Sequence, residues 1–165
     1  MKLTLLRHAK SSWGDDTLSD FERPLNKRGQ RDAPLMAARF KSRDNQPERI
    51  LCSPALRTAQ TSELFISTLH LHAEIRVFVD EIYEAQAGAL LDAIATHGDS
   101  VDQLLLIGHN PAIEYLCAMF NGGERLTMPT CAVCEFEILG IDSWKEIANA
   151  QARLSWYDYP KSQQS

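Results

Sequence analysis

Four short apolar runs alternate with longer amphipathic segments, and this alternation constrains the fold more than any other feature. The runs cover residues 2–6, 49–52, 75–79 and 103–107 and are rich in Leu, Ile and Val. Unbroken apolar runs of this length are typical of strands that are buried on both faces. Because strands that alternate with helices form parallel crossovers, the sequence predicts an α/β three-layer sandwich, with a mostly parallel sheet and helices on both faces.

Helix signals lie between these runs. Ser53-Pro54 is typical of an N-cap followed by a first-turn proline, and Asn110-Pro111 repeats the pattern. Pro34 either kinks the first helix or marks its true start. A β-like run over residues 131–138 follows the last helix. The predicted helices span Lys27 to Arg43, Ser53 to about Leu69, a segment that ends near His97-Gly98, and Asn110-Pro111 to Phe120.

Size and charge limit the classes of protein that this chain can belong to. Its 165 residues predict one domain over residues 1–160, with a disordered tail at 161–165. The net charge of −5 argues against a nucleic-acid partner, which requires a clustered basic excess. No apolar stretch is long enough for a membrane span, and the N-terminus is charged too early for a signal peptide, so we expect a cytoplasmic protein.

The chain has four cysteines, but their sequence neighbours do not favour a metal site or a disulfide. Cys131 and Cys134 have the C-x-x-C spacing but lie in the β-like run, where residues three apart point to opposite faces. Cys52 and Cys117 lie among apolar neighbours and are predicted as small core residues. We therefore expect reduced, structural cysteines, and no metal or cofactor.

Arginine and histidine follow three of the predicted strands. Arg7 and His8 follow the first strand, Arg57 lies just beyond the second, and His109 follows the fourth. Ligands of parallel sheets bind beyond the carboxyl ends of the strands, so we expect these side chains to meet. An imidazole can act as a nucleophile, and guanidinium groups and helix N-termini suit phosphoryl oxygens. The pattern predicts a site for phosphoryl transfer.

Other interpretations of these residues fit less well. A cysteine-based phosphatase needs five residues between its cysteine and arginine, whereas Cys52 and Arg57 are separated by four. A metal site would need ligands beyond two histidines. A mutase must enclose its substrate, and the short connection between Leu69 and Ile75 leaves no room for a lid. A non-catalytic phosphoprotein-binding module would not require the nucleophile.

The chain also resembles a known family over nearly its whole length. It is similar to the histidine phosphatase superfamily, also named after phosphoglycerate mutase, and within it to the short SixA-type phosphohistidine phosphatases. The resemblance implies that His8 is the nucleophile and that Arg7, Arg57 and His109 bind the phosphoryl oxygens. The matching segments are Leu6 to Trp13, Asp20 to Gly29, Cys52 to Thr61, Ile82 to Ala85, and Gly108 to Pro111.

Two departures from the family pattern affect the expected site. Larger relatives carry Gly-Glu-Ser after Arg-His and an asparagine three residues later, whereas this chain has Ala9-Lys10-Ser11 and Gly14. Ser11, Ser12 or Lys10 is expected to compensate, and Ser11 is the predicted substrate-binding residue. Glu81 matches the position of the family's general acid, with Glu84 close by. If the third strand continues through Tyr83, these two glutamates point in opposite directions.

The incomplete match to the family at the position of the general acid affects which substrate is expected. An alkoxide leaving group needs a proton from a well-placed acid, whereas imidazole, with an ordinary pKa of about 6.5, needs much less help. The predicted function is hydrolysis of phosphohistidine on proteins through a covalent phosphohistidine intermediate. The alternatives are a phosphatase of small phosphate esters or anhydrides and a phosphoprotein-binding module.

Overall fold

The computed structural model describes residues 1–43, 46–98 and 100–162, and within these ranges six strands form one sheet. The strand order is β3-β2-β4-β1-β5-β6. Neighbours among the first four strands of this order pair in parallel, whereas β5 pairs antiparallel with both β1 and β6. The predicted α/β class is confirmed. The strands are β1 (Lys2–Arg7), β2 (Arg49–Cys52), β3 (Arg76–Phe78), β4 (Gln103–Gly108), β5 (Val133–Leu139) and β6 (Gln151–Asp158).

Helices cover both faces of this sheet. Helices α1 and α2 pack over one face, where Met36 and Phe65 contribute to a core cluster with Leu105 of β4. Helices α3 and α4 pack over the other face, where Leu116 joins a cluster with Leu104. The two clusters make the predicted three-layer sandwich. The helices are α1 (Lys27–Lys41), α2 (Leu56–Leu69), α3 (Ala87–His97) and α4 (Ala112–Phe120), with 3₁₀ segments at Asp20–Glu22, Ala73–Ile75, Asp80–Ile82 and Trp144–Asn149.

The cysteines of the C-x-x-C pair lie in different core clusters. Cys131 belongs to the cluster under α1 and α2, and Cys134 to the cluster under α3 and α4. The pair is therefore divided between the two faces, but Cys131 lies in a turn before β5, with a φ of 64°, and not in the strand that was predicted from residue 131. Burial raises the pKa of the Cys52 thiol to about 12, which leaves it protonated and poorly nucleophilic at neutral pH.

A close backbone contact fixes α1 against the loop after β1. The side chain of Asn26 caps the helix by accepting a hydrogen bond from the Gly29 N–H at 2.9 Å. A Cβ atom at Gly29 would lie 2.2 Å from the carbonyl oxygen of Lys10, so only glycine fits there. The helix begins at Lys27 and continues through Pro34, which therefore does not mark its start.

The third strand is shorter than predicted. β3 ends at Phe78, opposite Cys52, and the chain then turns through the 3₁₀ segment Asp80–Ile82. As an edge strand, β3 has only β2 to pair with, and β2 ends at Cys52. A strand extended through Tyr83, which was the condition for Glu81 and Glu84 to point in opposite directions, is therefore not formed.

Two helices begin later than their sequence signals indicate. The N-cap of α2 is Ala55 rather than Ser53, and that of α4 is Pro111 rather than Asn110. The polar side chains are used elsewhere, since Ser53 bonds to His109 and the Asn110 amide donates to the Met128 carbonyl. Both of these contacts lie at the carboxyl edge of the sheet.

The C-terminal segment is placed as far as Ser162. The Ser162 hydroxyl donates to the carboxylate of Asp158, so the first part of the expected tail packs on the domain. Residues 163–165 lie outside the described residues. Within the described parts of the chain, no helix combines the length and apolar character needed to cross a membrane.

Candidate active site

Strand register brings the two predicted site histidines together. In the parallel ladder of β1 and β4, Arg7 pairs with Gly108, so His8 and His109 leave neighbouring strands side by side. The His8 N–H donates to the Gly108 carbonyl at 3.1 Å. The two imidazole centroids lie 5.2 Å apart, and both residues are buried.

The imidazole of His8 is oriented by the residue that follows it. Its Nδ1 lies 2.7 Å from the Ala9 carbonyl, which only accepts, so Nδ1 carries the proton and Nε2 keeps its lone pair. The Ala9 N–H in turn donates to Thr61 Oγ1 at 3.0 Å, which ties this peptide to α2. Burial lowers the pKa of His8 to about 3, so the ring is neutral and nucleophilic.

The imidazole of His109 is oriented by Ser53, the residue that follows β2. Its Nε2 lies 2.8 Å from the hydroxyl of Ser53, which is fully buried. Burial and then the charge of Arg57 lower the pKa of His109 to about 4. The imidazole of His109 is therefore neutral near pH 7. An arriving dianionic phosphoryl group would raise this pKa, because an opposite charge favours the protonated ring.

The two predicted arginines flank the histidines. Arg7 Nη1 donates to the Met128 carbonyl at 3.0 Å, whereas both terminal nitrogens of Arg57 donate to Asp20. Among the described residues, no hydrogen-bond partner lies near Arg7 Nε, Arg57 Nε or His109 Nδ1, all of which are buried. Buried donors normally have partners, so these nitrogens, on three of the residues predicted to bind phosphoryl oxygens, are candidate donors to an anion.

Asp20 is a site residue that the sequence reasoning missed. Its Oδ1 accepts hydrogen bonds from Arg23 Nε and Nη2, and its Oδ2 accepts from Arg57 Nη2 and the Tyr83 hydroxyl. Burial alone would raise the pKa of this carboxyl, but the donors Tyr83, Arg23 and Arg57 outweigh it and hold the pKa at about 2. The carboxylate is therefore charged across the physiological range.

Ser11 joins the site through Arg23. The buried hydroxyl of Ser11 accepts from Arg23 Nη1 at 3.0 Å, and the Arg23 guanidinium also lies 3.6 Å from the centre of the exposed Trp13 ring. Ser12 is engaged locally, since its hydroxyl accepts from the Gly14 N–H. The buried guanidinium of Arg23 lies close enough to His109 for its charge to contribute to the lowered pKa of that imidazole.

Tyr83 closes one side of the cluster. Its ring lies edge-on to His109 with a centroid distance of 5.6 Å, and Phe21 packs edge-on against its other side at 5.1 Å. Tyr83 thus lies over the histidines, in the segment where a glutamate was expected to act.

The structure does not bring Glu81 to this cluster. Glu81 is exposed and lines a different pocket, of about 190 Å³, together with Val79 and residues of α3 such as Asp92 and His97. No hydrogen bond between described residues connects Glu81 with His8 or His109. Its role as general acid stays a prediction without geometric support.

The residues that were missed carried a weak signal in the sequence. Asp20, Arg23 and Tyr83 all lie inside segments that match the family, but none of them follows a predicted strand. Asp20 meets Tyr83 across 63 residues of sequence and Arg57 across 37, so spacing alone cannot pair these side chains. In the described part of the chain, no group of three or more His, Cys, Asp or Glu side chains could hold a metal ion.

Comparison with known proteins agrees with this fold. The model of the histidine phosphatase superfamily (branch 1) matches residues 3–89, which is more than half of the chain. The chain belongs to the histidine phosphatase superfamily. Membership supports phosphatase activity on a phosphorylated substrate.

Individual proteins within the superfamily resemble this chain over most of its length. Phosphohistidine phosphatase SixA of Escherichia coli is 33% identical over 133 residues, which cover 79% of this chain and 80% of SixA. An uncharacterized chloroplastic protein of Arabidopsis thaliana is 32% identical over 88% of this chain and 69% of its own length. The solved structure of the histidine phosphatase SixA with tungstate superimposes with a TM-score of 0.82, at 24% identity and 97% coverage of both chains, which shows the shared fold.

Proposed function

We propose that this protein hydrolyses phosphohistidine on proteins through a covalent phosphohistidine intermediate on His8. The observation that carries the proposal is the geometry of His8. Its Nδ1–H is fixed on the Ala9 carbonyl and its ring is neutral, so Nε2 offers a lone pair next to two guanidinium groups. An unprotonated, oriented imidazole is what nucleophilic attack on phosphorus requires.

In the first step, the Nε2 lone pair of His8 forms a bond to phosphorus while the bond to the leaving group breaks. Arg7, Arg57 and His109 would hold the phosphoryl oxygens and stabilise the charge that spreads over them in the transition state. Because Nδ1–H remains on the Ala9 carbonyl, the phosphorylated ring keeps its orientation. In the second step, water attacks phosphorus, and phosphate leaves with His8 neutral again.

Two carboxyl groups, those of Glu81 and Asp20, are poorly suited to act as a general acid for an ester leaving group. Glu81 lies away from the histidines, and the Asp20 carboxyl has a pKa of about 2, so it is not a proton donor near neutral pH. An alkyl ester would leave as a poorly stabilised alkoxide, whereas imidazole leaves readily. This chemistry supports phosphohistidine over alkyl phosphates, and the likeness to SixA supports it independently.

Rapid quench with a ³²P-labelled phosphohistidine peptide tests the proposal. We expect an acid-labile, base-stable adduct on the wild-type protein that is absent from His8→Ala, and a loss of turnover of at least about 10³-fold in that variant. His72→Ala, which removes an exposed histidine, is the matched control and should behave as wild type. Normal turnover by His8→Ala would refute the mechanism, and activity on alkyl phosphates alone would refute the substrate.

The proposed mechanism needs no metal, because the guanidinium groups supply the positive charge that a metal would otherwise provide. Activity should therefore survive dialysis against excess chelator. Loss of activity that Zn²⁺ or Mg²⁺ restores would contradict this part of the proposal.

A further inference from the structure

The carboxylate of Asp20 lies at the mouth of the site, on the solvent side of the histidines. Its side chain is 51% exposed, while the side chain of its partner Arg57 is 7% exposed. His8 is buried at the carboxyl end of β1, and Tyr83 lies edge-on to His109 with its hydroxyl on Asp20. The Asp20 carboxylate is therefore the more solvent-exposed group beside these buried side chains.

The acceptor capacity of this carboxylate is filled by protein donors. Two hydrogen bonds from Arg23 reach Oδ1, and one each from Arg57 and Tyr83 reach Oδ2, which matches the roughly four lone-pair positions of a carboxylate. Arg57 Nη2 carries two N–H groups, so a phosphoryl oxygen can compete with Asp20 for this nitrogen. Where the oxygen replaces Asp20 as the acceptor, one position on Oδ2 opens beside the bound substrate.

The direction of attack decides what fills that position. The attacking and leaving atoms lie roughly in line at phosphorus, so a group attacked by buried His8 departs on the opposite, solvent side. Asp20 lies on that side. Near neutral pH it is an anion, because its hydrogen bonds outweigh the effect of burial and lower its pKa to about 2.

We propose that Asp20 is a specificity-determining residue that accepts a hydrogen bond from the distal ring N–H of a substrate phosphohistidine and so selects imidazole as the leaving group. This inference rests on the proposed function. The substrate ring enters as a cation, with phosphorus on one nitrogen and a proton on the other. The His8 Nε2 lone pair bonds to phosphorus, the P–N pair goes to the substrate nitrogen, and neutral imidazole leaves with its proton.

The same carboxylate would disfavour the hydrolysis of alkyl phosphates. Their leaving oxygen gains negative charge as the P–O bond breaks, and a nearby anion disfavours that charge. An alkyl phosphate also has no N–H for the open acceptor. Asp20 therefore separates the two substrate classes by its charge, even though it helps to position Arg57 for both.

The test compares Asp20→Asn with wild type on two substrates, a phosphohistidine peptide and ethyl phosphate. We expect kcat/KM for the peptide to fall about 10- to 100-fold, the range of a hydrogen bond to a charged group. The loss on ethyl phosphate should be at least fivefold smaller. Asp20→Ser is a second variant that should shift the preference in the same direction, and thermal unfolding verifies that both variants fold.

Asp16→Asn is the matched control, because Asp16 is an exposed carboxylate in the same loop, and this variant should keep the wild-type preference. Equal losses on both substrates in Asp20→Asn would overturn the inference and leave Asp20 as a positioning residue for Arg57. Equal gains would also overturn it and identify a carboxylate that competes with phosphate. Wild type that is inactive on the peptide but active on ethyl phosphate would instead refute the proposed function.

Discussion

The site consists of two regions that are built differently, a floor (Arg7, His8 and His109) and a rim (Trp13, Asp20, Phe21 and Tyr83). The floor histidines are buried and leave adjacent parallel strands, so backbone hydrogen bonds of the sheet fix their positions. The rim comes from the loop between β1 and α1 and from the turn after β3. Its members are held by side-chain contacts, and the Trp13 ring is 74% exposed.

In the proposed function, the two regions have different roles. The floor would supply the neutral nucleophile and the cationic donors that phosphoryl transfer of this type requires. The rim, with its aromatic rings and carboxylate, would contact the part of the substrate beyond phosphorus. Arg57 links the regions, since it lies in the first turn of α2 near the histidines and donates to Asp20. Changes in the floor should therefore abolish activity, whereas changes in the rim should alter it by degrees.

After the loss expected for His8→Ala, the next largest effect is expected where the two regions meet. Arg57→Ala should lower kcat/KM by about 10²- to 10³-fold on any phosphoryl substrate, because it removes a donor to the transition state. Arg57→Lys should recover only part of this loss, since a point charge cannot replace the planar fork. Arg153→Ala, which breaks an exposed pair with Glu137, is the control and should leave kinetics unchanged. A loss below fivefold in Arg57→Ala would place Arg57 with the rim.

The floor should also make stability depend on pH. Burial lowers the folded-state pKa values of His8 and His109 to about 3 and about 4, so the unfolded chain takes up protons first as the pH falls below about 6.5. The free energy of unfolding should therefore decrease from pH 7 to pH 5, by about 1 to 2 kcal/mol for each histidine. The stabilising contribution is fully present above the unfolded pKa and is lost below it.

Urea denaturation at pH 7, 6 and 5 measures this dependence. The double variant His8→Asn/His109→Asn should show a flatter profile over the same range. Asp20 does not interfere, because its lowered pKa affects stability only below its ordinary value of 3.8. A wild-type profile as flat as that of the double variant would mean that the floor is not desolvated in solution.

A smaller effect is expected from the aromatic rim. Trp13→Ala removes the ring beneath the Arg23 guanidinium, a cation–π contact of about 0.5 to 1 kcal/mol at an exposed position. We expect kcat/KM to fall roughly two- to fivefold by the same energy. Phe78→Ala is the matched control, since the Phe78 ring on β3 makes a similar cation–π contact with the Arg76 guanidinium. If the two variants changed kcat/KM equally, Trp13 would have no specific role in the site.

The smallest effect concerns the carboxylate that the family pattern favours. Glu81→Gln should change the hydrolysis of alkyl phosphates and phosphohistidine by less than about twofold, because exposed positions away from a site contribute little. Glu84→Gln, on the same segment, provides the comparison. A strong loss on ethyl phosphate alone in Glu81→Gln would restore this residue as the general acid and contradict its placement against α3.

The floor could be predicted from sequence because its signal is local. A strand that is buried on both faces is almost entirely apolar, so the runs at β1, β2 and β4 could be recognised as strands. The residues that follow parallel strands lie at one edge of the sheet, which placed the predicted site residues together. Helix starts were harder to predict. Ser53 resembles an N-cap, but its hydroxyl is more than 50 residues of sequence away from its partner His109.

The sequence by itself determined the α/β sandwich, the buried strands and the positions of Arg7, His8, Arg57 and His109, because hydrophobic periodicity and strand ends depend on neighbouring residues. Only the tertiary structure decided that β3 stops at Phe78, that Glu81 lies against α3, and that Asp20, Arg23 and Tyr83 form one hydrogen-bonded group. Those outcomes depend on which distant side chain satisfies a buried donor, and no local pattern encodes that choice.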